Sequence, residues 1–534
     1  MHRDSAVARL RAGSEVFDLL VVGGGASGLG AAVDAAARGY RVALIEQGDF
    51  AQGTSSRSTK LVHGGVRYLG QGNLSLVRSA LRERGLLLRN APHLAHAMPF
   101  VIPGYAWWEK PYYAFGMTLY DLLAGRLSLG ASQQLSRAET VRHLPTIESE
   151  GLRGGVLYYD GQFDDARLAI NLAQTAVECG AVLVNYCACV GLVKERGVVG
   201  GVLARDGETG AEFTVRARAV INATGVFVDA LRRFDEPKTA PMVTVSQGVH
   251  LVLPREFLPG SSALMIPKTA DGRVLFAIPW HGRLVVGTTD TPNVAATITP
   301  RALPEEVDFI MEHARKYLAR DPGESDVLSV FAGLRPLVTR GRAGDTARLS
   351  RDHTIAISPS RLITLTGGKW TTYRKMAEDV VDQAERVAGL GHTPSPTAER
   401  AIHGAGATGA TTGALQIYGS DAAAIAELAG RDPALAGPVH PATALLRAEV
   451  VWQARQEMAR TVEDVLARRT RTLVLDARAS IEAAPVVARL LADELGRDDA
   501  WVTAQVRGYR DLARGWLLPA AVGPARGAAL PLVA

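Results

Sequence analysis

The chain has 534 residues, of which 47% are hydrophobic and 21% charged, a composition typical of a globular protein with two or more domains. Its apolar runs are shorter than the roughly 20 residues of a spanning helix, and its first residues lack the apolar centre of a secretory signal, so neither feature is expected. The net charge of +5 favours an anionic partner, which could be a phosphate substrate, an anionic lipid surface or nucleic acid, with general solubility as the alternative.

Residues 17–46 predict a βαβ unit, and residues 1–17 before it are expected to form a flexible tail. The apolar run 19–22 is typical of a buried strand, residues 31–37 of a helix, and residues 41–45 of a second strand. A G-x-G-x-x-G sequence separates the first strand from the helix. This order of elements is typical of a dinucleotide-binding unit, and at this point both NAD and FAD remain candidates.

The residue types at this turn suit a bound pyrophosphate. Gly23 permits the tight turn, Gly25 lets the pyrophosphate approach the backbone, and Gly28 lets the helix pack closely on the strand. Glu46 ends the second strand, where a carboxylate can accept hydrogen bonds from both hydroxyls of a ribose. The residues of this unit that we expect to bind the dinucleotide are Gly23, Gly25, Ala26, Ser27, Gly28 and Glu46.

Residues 48–69 contain many hydroxyl groups, cations and glycines, too polar a mixture for a buried element. A cofactor that extends beyond its first ribose needs a second set of donors, and this segment would supply it; a solvated surface loop is the alternative. The residues expected to contact the cofactor here are Thr54, Ser55, Ser58, Thr59, Lys60, His63, Gly64 and Gly65.

Two consecutive stretches, GGGASGLGAAVDAAARG and GTSSRSTKLVHGGVRYL, closely resemble the FAD-dependent glycerol-3-phosphate dehydrogenases of the respiratory, quinone-linked type. Leu29 departs from that family, which usually has a small residue after the third glycine. The resemblance implies that the dinucleotide is FAD. It also implies an α/β fold, with a Rossmann-type FAD-binding domain, an inserted antiparallel β-sheet substrate domain as in D-amino-acid oxidase and glutathione reductase, and a C-terminal α-helical cap.

Residues 73–90 have apolar side chains at helical spacing and predict an amphipathic helix. The following segment, residues 105–123, is rich in aromatic side chains and includes Lys110. Such a segment suits a membrane interface, with its rings at the depth of the lipid headgroups, and ordinary core packing is the alternative. The aromatic residues on which the interfacial interpretation depends are Trp107, Trp108, Tyr112 and Tyr113.

Residues 161–176 predict a helix with an acidic N-cap, and residues 182–193 and 200–204 predict strands. The cysteines at 179, 187 and 189 have no metal-ligand or C-x-x-C spacing, so we expect reduced thiols, a cytoplasmic protein and no bound metal. Residues 217–222 then lead as a strand into an Ala-Thr-Gly turn. In flavoproteins of the resembled type this turn closes against the cofactor, which adds Ala223, Thr224 and Gly225 to the expected FAD contacts.

Residues 246–290 alternate short apolar runs with turns and predict an antiparallel sheet, with His250 on its first strand. Residues 330–351 concentrate arginines, and Arg335 differs from the others because it lies within an apolar run. A guanidinium in such a place needs a partner, and its two parallel donors suit a phosphate monoester.

A further strand is predicted at residues 362–365, and the sequence GGKWTTYRKMA after it matches a second characteristic segment of the resembled family. This glycine turn precedes a helix and again suits an anion. Its expected cofactor contacts are Gly367, Gly368, Lys369, Thr371 and Thr372.

Residues 391–414 are expected to be a linker, and residues 415–534 a helical domain. Its clearest helix is expected at 449–469, where EMARTVEDVLARRTR resembles the family's C-terminal cap. The FAD-binding domain would then span 18–390, with its substrate part mainly at 90–215 and 235–350.

The resemblance implies oxidation of sn-glycerol 3-phosphate to dihydroxyacetone phosphate, with hydride transfer to FAD and onward transfer of electrons to a membrane quinone. It places six residues around the substrate, namely Arg67, Tyr68, His250, Arg335, Arg351 and Lys369, with His250, Arg335 and Lys369 as the catalytic group. His250 is the expected general base, because a neutral imidazole can take the hydroxyl proton near pH 7. A cation that lowers the pKa of the alcohol, with water as the proton acceptor, is the alternative.

Three other functions stay open at this level. An oxidase would pass the electrons to oxygen and release peroxide. A flavin-containing RNA-modifying protein would suit the positive charge, although the arginines lie beside glycine turns rather than among stacking aromatics, so no nucleic-acid partner is expected. A nicotinamide dehydrogenase would give a colourless preparation. The expected location is the cytoplasm, peripheral on the inner face of an anionic cytoplasmic membrane, and the oligomeric state, a homodimer included, stays open.

Overall fold

A computed structural model describes residues 1–65, 74–267, 269, 272–292, 294–338, 353–406 and 413–519. Its strands in chain order are β1 (Val16–Val22), β2 (Val42–Ile45), β3 (Leu61–Val62), β4 (Ala95–Gly104), β5 (Gln133–Leu135), β6 (Gly154–Phe163), β7 (Val182–Val184), β8 (Cys187–Glu195), β9 (Val198–Asp206), β10 (Glu212–Asn222), β11 (Val243–Pro254), β12 (Ala263–Ile266), β13 (Leu275–Trp280), β14 (Arg283–Gly287), β15 (Thr291–Pro292), β16 (Ser329–Val338), β17 (His353–Ile357) and β18 (Ile363–Gly367). Its α-helices are α1 (Arg3–Arg11), α2 (Ala26–Ala37), α3 (Leu74–Asn90), α4 (Glu109–Ala124), α5 (Arg137–His143), α6 (Asp165–Glu178), α7 (Val228–Asp235), α8 (Pro304–Tyr317), α9 (Tyr373–Ala388), α10 (Ala422–Arg431), α11 (Arg447–Gln456), α12 (Thr472–Leu475), α13 (Ala477–Leu495) and α14 (Asp499–Arg514).

The first sheet is built around the predicted βαβ unit and has the strand order β17-β18-β10-β1-β2-β7, with β9 and β8 attached to β10. β1 pairs in parallel with β2 and β10, and its residues after Val16 are buried, as expected of a strand covered on both faces. α2 packs closely on this sheet because a Cβ at Gly28 would lie 1.9 Å from the carbonyl oxygen of Gly23. The predicted βαβ unit and its Rossmann-type parallel sheet are therefore confirmed.

The second sheet forms the inserted substrate domain and has the order β15-β11-β14-β13-β12-β4-β6-β3, with β16 paired to β11 and β5 to β6. Its pairings are antiparallel except for β12 with β4, so the predicted antiparallel sheet is confirmed in the main. The predicted first substrate segment, 90–215, extends too far. β7 is apolar and fully buried, and it joins the first sheet by parallel pairing with β2, with Ala43 opposite Val182. The substrate segment therefore ends with β6.

The N-terminal residues do not form the predicted flexible tail. They form α1, whose Val7 and Leu10 are buried against the first sheet. Arg3 is also buried, with its guanidinium 2.5 Å from the carboxylate of Asp206 and 3.0 Å from the carbonyl oxygen of Asn185. The short polar sequence carries too weak an apolar pattern to predict this helix, because tertiary contacts rather than periodicity fix it.

The aromatic segment at residues 105–123 forms α4 and the turn before it. Its inner face packs through Ala114 and Met117, whereas Trp107 is 78% exposed and Phe115 76% exposed. Trp108 and Tyr112 are also exposed, so core packing is the wrong interpretation for these side chains. In the described part of the chain, no helix combines the length and apolar character needed to cross a bilayer.

The C-terminal domain is helical, as predicted, but the expected helix at 449–469 is broken. α11 ends at Gln456, and a π-helical turn, Asp464–Arg469, follows after an irregular segment. The reason is that Glu457 turns inward and binds both terminal nitrogens of the buried Arg167 of α6, at 2.6 and 2.9 Å. The charges of this segment are thus largely buried ion pairs between domains rather than a solvated face.

Candidate active site

Two adjoining cavities lie where the two sheets meet. The first encloses about 370 Å³, a volume typical of a ligand site, and is lined by the β1–α2 turn, the end of β2, the loop after it and the turns after β10 and β18. The second encloses about 340 Å³ and is lined mainly by the substrate sheet. The residues shared by both walls are Thr54, Pro336, Gly368, Lys369 and Trp370. One elongated ligand could therefore reach from the first cavity into the second.

The glycine turn of the first cavity fits a diphosphate. Gly23 has a φ of +112°, and a Cβ there would lie 2.6 Å from the carbonyl oxygen of Ala223, so the turn after β10 closes against it as expected. α2 begins at Ala26, and the amide of Ala26 donates to Ser55 Oγ at 2.9 Å. The N-terminus of α2 therefore opens into the cavity beside a hydroxyl group, an arrangement that favours bound phosphate.

Glu46 lines the same cavity beside the glycine turn. Its two carboxylate oxygens accept hydrogen bonds from the amides of Gly24, at 2.6 Å, and Gly48, at 2.9 Å. Burial raises the pKa of Glu46, and these two amides oppose that shift by stabilising the charged form. The amides hold the carboxylate in one orientation. Each oxygen keeps a second lone pair, which can accept a hydrogen bond from a ribose hydroxyl group.

Cross-strand register brings the predicted catalytic residues together in the second cavity. β11 and β16 pair antiparallel, with His250 opposite Phe331 and Ser246 opposite Arg335. Because side chains alternate along a strand, His250 and Arg335 share one face of the sheet. Gly248 lies between them, and a Cβ there would sit 2.1 Å from a terminal nitrogen of Arg335. The glycine thus provides the space through which the guanidinium enters the cavity.

Arg335 is held by groups that sequence reasoning did not identify. Its guanidinium lies 3.2 Å from the carboxylate of Asp290, 3.1 Å from Thr288 Oγ1 and 3.0 Å from the carbonyl oxygen of Thr289. The signal was the Gly-Thr-Thr-Asp sequence at the end of β14, where turn residues follow a buried strand and point into the site. Arg335 therefore has a fixed orientation at the cavity wall.

His250 is 2% exposed, and its Nε2 lies 2.9 Å from Thr59 Oγ1. Within the described residues its Nδ1 is buried and has no hydrogen-bond partner. Burial, and then the charges of Arg335 and Lys60, hold the pKa of His250 well below its ordinary value. These groups therefore favour the neutral imidazole, the form that has one ring nitrogen with a free lone pair.

Most of the other predicted contacts line one of the two cavities. The residues in their walls are Gly23, Gly25, Ala26, Ser27, Glu46, Thr54, Ser55, Ser58, Thr59, His63, Gly65, Ala223, Thr224, Gly225, Gly367, Gly368, Lys369 and Thr371. Gly367 and Gly368 have φ values of +77° and +76°, so the turn before α9 is one that other residues rarely adopt. Arg67, Tyr68 and Arg351 lie outside the described residues.

The structure corrects the prediction for Lys60. Its ammonium is fully buried behind the wall residue His250, 2.8 Å from each carboxylate oxygen of Asp165, and it donates to the carbonyl oxygen of Ser56. A lysine cannot both satisfy this buried carboxylate and bind a cofactor phosphate. Three further predicted contacts, Gly28, Gly64 and Thr372, pack behind the cavity walls rather than forming them.

One group in the described part of the chain has metal-like spacing, formed by Asp382, Glu385 and His392. Arg38 Nη1 already lies 2.7 Å from the carboxylate of Asp382 and 2.9 Å from that of Glu385. This guanidinium supplies the positive charge that the carboxylates require, and the group belongs to the buried contacts of α2 with α9.

A Rossmann-type sheet, a diphosphate turn and a ribose-binding acid beside a substrate sheet define a flavin-dependent oxidoreductase. A family model described as FAD dependent oxidoreductase matches residues 18–374, and one described as C-terminal domain of alpha-glycerophosphate oxidase matches residues 359–502. The chain belongs to the FAD-dependent glycerol-3-phosphate dehydrogenase family, in agreement with the resemblance found in its sequence.

Individual relatives support this assignment. The mitochondrial glycerol-3-phosphate dehydrogenase of Macaca fascicularis is 41% identical, with 93% of this chain and 73% of that protein covered. The human mitochondrial enzyme is 40% identical, again with 93% of this chain and 73% of that protein covered. The glycerol-3-phosphate dehydrogenase of Bacillus halodurans, solved in complex with FAD, is 30% identical and superimposes with a TM-score of 0.79 over 97% of this chain and 98% of that one. FAD is therefore the cofactor of this fold.

Proposed function

We propose that the protein oxidises sn-glycerol 3-phosphate to dihydroxyacetone phosphate. The observation that supports this most directly is the pairing of a neutral buried imidazole, His250, with a fixed guanidinium, Arg335, in a cavity adjoining the diphosphate turn. A secondary alcohol needs a base for its proton, and a dianionic phosphate needs cations. The names of the relatives supply the substrate class.

FAD, when bound, supplies the acceptor for the hydride. The protein's part is to position the alcohol and move its proton. His250 accepts the hydroxyl proton. Arg335, in the wall of the second cavity, and Lys369, in the wall shared with the FAD cavity, orient the phosphate and hydroxyl groups. Asp290 and Thr288 keep the Arg335 fork in place, so the substrate meets a preformed site rather than a mobile cation.

An absorption spectrum of the purified protein tests the proposal. Flavin bands should be present, and anaerobic addition of sn-glycerol 3-phosphate should bleach them. Glycerol and inorganic phosphate, added separately, should leave them unchanged. Bands that persist with the substrate, or a colourless protein, would overturn the proposal.

The change Arg335→Lys tests the role of the guanidinium. A lysine keeps the positive charge but replaces a planar fork by a point charge, so the substrate concentration for half-maximal flavin reduction should rise about tenfold or more. The measurement is anaerobic stopped-flow reduction over a range of substrate concentrations. Arg315→Lys, on the exposed side of α8, is the matched control and should behave as the wild type. Equal saturation curves for the two variants would count against phosphate binding by Arg335.

For the electron acceptor we propose a membrane quinone. The second cavity has an apolar arm formed by Phe100, Tyr158, Met265 and Phe276, and these residues share a cluster with the inner face of α4. An apolar acceptor reaching the flavin from this side would pass beneath the exposed aromatic helix. Oxygen is the second candidate, because the C-terminal model carries the name of an oxidase. Turnover with a short-chain quinone under nitrogen supports the first proposal, whereas quinone-independent peroxide release in air supports the second.

We further propose that α4 contacts an anionic bilayer. The exposed rings of Trp108, Tyr112 and Phe115 lie toward the start of α4. At its other end Leu122 lines a groove with Leu74 and the cations Arg78 and Arg82 of α3. Aromatic rings at headgroup depth with nearby arginines are typical of interfacial helices.

Flotation with liposomes that contain phosphatidylglycerol tests this contact. Replacing Trp107, Trp108, Tyr112 and Phe115 together by Ser should abolish flotation, because it removes most of the exposed apolar area of this face. The control Ile357→Ser removes an exposed apolar side chain elsewhere and should float normally. Unchanged flotation of the fourfold variant would exclude α4 as the membrane contact.

A further inference from the structure

Two aromatic rings, Phe331 and Trp516, connect the catalytic imidazole to the C-terminal domain. His250 and its cross-strand neighbour Phe331 are stacked, with ring centroids 4.7 Å apart and planes 10° from parallel. Phe331 in turn faces Trp516, with centroids 6.2 Å apart and planes at 26°. Trp516 follows α14, so a ring of the C-terminal domain supports the ring on which His250 rests.

The backbone around this stack is joined to the same domain. The amide of Val330 donates to the carbonyl oxygen of Trp516 at 2.8 Å, and Ser329 Oγ donates to the carbonyl oxygen of Leu473 at 3.0 Å. These bonds hold the start of β16 directly before Phe331. Val474, from α12, packs in the same apolar cluster as Phe331. The C-terminal domain therefore fixes both the strand and the ring behind the catalytic histidine.

We propose that Trp516 is a positioning residue for the reaction, which holds the imidazole of His250 in a dry, fixed place through Phe331. This inference deepens the proposed function and rests on it. The stack excludes water from one face of the imidazole, and exclusion of water keeps the ring neutral and its orientation toward Thr59 constant. A C-terminal domain without reacting groups of its own thus contributes to the chemistry.

The charges around the imidazole predict the direction of the effect. Arg335 and Lys60 face it, with their carboxylate partners Asp290 and Asp165 behind them. The other titratable groups in the cavity wall are Arg57, His63, Tyr158, Asp160, Arg273 and Lys369. Of these, Arg57 contacts Trp516 directly, with its guanidinium 5.8 Å from the ring centroid, and it keeps its positive charge in every Trp516 variant. Water admitted behind Phe331 would weaken the desolvation that lowers the pKa of His250, so that pKa should rise toward the ordinary histidine value.

The test is the rate of anaerobic flavin reduction by sn-glycerol 3-phosphate at about pH 6 and about pH 8. The neutral imidazole is the active form, so the wild type, with its low pKa, should keep its rate at the lower pH. We compare the ratio of the rate at about pH 6 to the rate at about pH 8. In Trp516→Ala this ratio should be about fourfold lower than in the wild type, because an imidazole of ordinary pKa is largely protonated at about pH 6. Titration of the substrate phosphate affects every variant equally and cancels in this comparison.

Two variants separate positioning from general stability. Trp516→Phe keeps a ring against Phe331 and should restore the wild-type ratio. Trp501→Ala removes a half-buried tryptophan from α14 without touching the stack, so it should lower stability and leave the ratio unchanged. If Trp516→Ala loses its flavin, the test uses Trp516→Leu instead, a variant that keeps apolar volume but has no ring. A wild-type ratio in the ring-less variant overturns the inference, whereas a wild type that the substrate does not bleach overturns the proposed function instead.

Discussion

Replacing His250 by Asn should slow flavin reduction by glycerol 3-phosphate by about 10²–10⁴-fold, the usual contribution of a positioned general base. Asn occupies a similar volume and retains a polar group near Thr59, but it cannot take the hydroxyl proton at neutral pH. FAD should stay bound, because the diphosphate turn and Glu46 are not affected. The measurement is single-turnover anaerobic stopped flow, with the flavin content determined from the same sample.

The matched control is His313→Asn on α8, a buried histidine that bonds the carbonyl oxygen of Phe309 and lies outside both cavities. It should reduce its flavin at the wild-type rate. If His250→Asn binds FAD and is reduced nearly as fast as the wild type, the alternative in which a cation lowers the alcohol pKa and water takes the proton would be the better account.

The FAD-binding half of this site was predictable from sequence because its determinants are local. One βαβ unit contains Gly23, Gly25, Gly28 and Glu46. Hydrophobic periodicity and glycine spacing predict its order of strand, turn and helix. The same holds for the turn at Gly367 and Gly368. In each case the sequence pattern and the chemistry lie within about thirty residues of one another.

The substrate half was less predictable because it depends on register between distant strands. His250 and Arg335 share a face only because β11 and β16 pair with Gly248 opposite Gly333, and nothing in either segment alone specifies that alignment. Asp290 acquires its role because β14 and β15, the strands on either side of it, also pair with β11. Lys60 shows the opposite error, since a cation in a polar loop was assigned to the cofactor although a carboxylate more than a hundred residues later binds it.

The partners of the buried charges in the C-terminal domain could not be predicted from the sequence either. Residues 449–469 have charges of both signs, which suits either a solvated or an interdomain face, but the pattern does not identify the partners. In the structure Arg468 and Arg469 are almost completely buried and converge on Asp49, in the loop after β2 that leads into the FAD cavity. Only the tertiary fold brings these oppositely charged groups, more than four hundred residues apart, into contact.

Replacing Asp49 by Ala should destabilise the protein by about 3–5 kcal/mol, because it leaves two buried guanidinium groups without their common partner. Arg468 Nε lies 2.5 Å from Asp49 Oδ2, and Arg469 Nη2 lies 3.0 Å from Oδ1. Burial alone would raise the pKa of Asp49, but Arg469 and Arg468 hold it below its ordinary value, so the carboxylate is charged at neutral pH. The measurement is urea denaturation followed by flavin fluorescence and by far-ultraviolet circular dichroism.

The contrast with an exposed ion pair makes this expectation specific. Glu494 binds Arg455 at 2.6 Å on the surface of the same domain, and Glu494→Ala should cost only about 0–1 kcal/mol, because water replaces the lost partner. Asp49→Asn should fall between the two, since an amide still accepts hydrogen bonds from the arginines but no longer balances their charge. FAD should dissociate more readily from Asp49→Ala than from Glu494→Ala, because the loop at the ribose end of the cavity loses its anchor. Equal denaturation midpoints for Asp49→Ala and Glu494→Ala would mean that the C-terminal domain does not hold this loop.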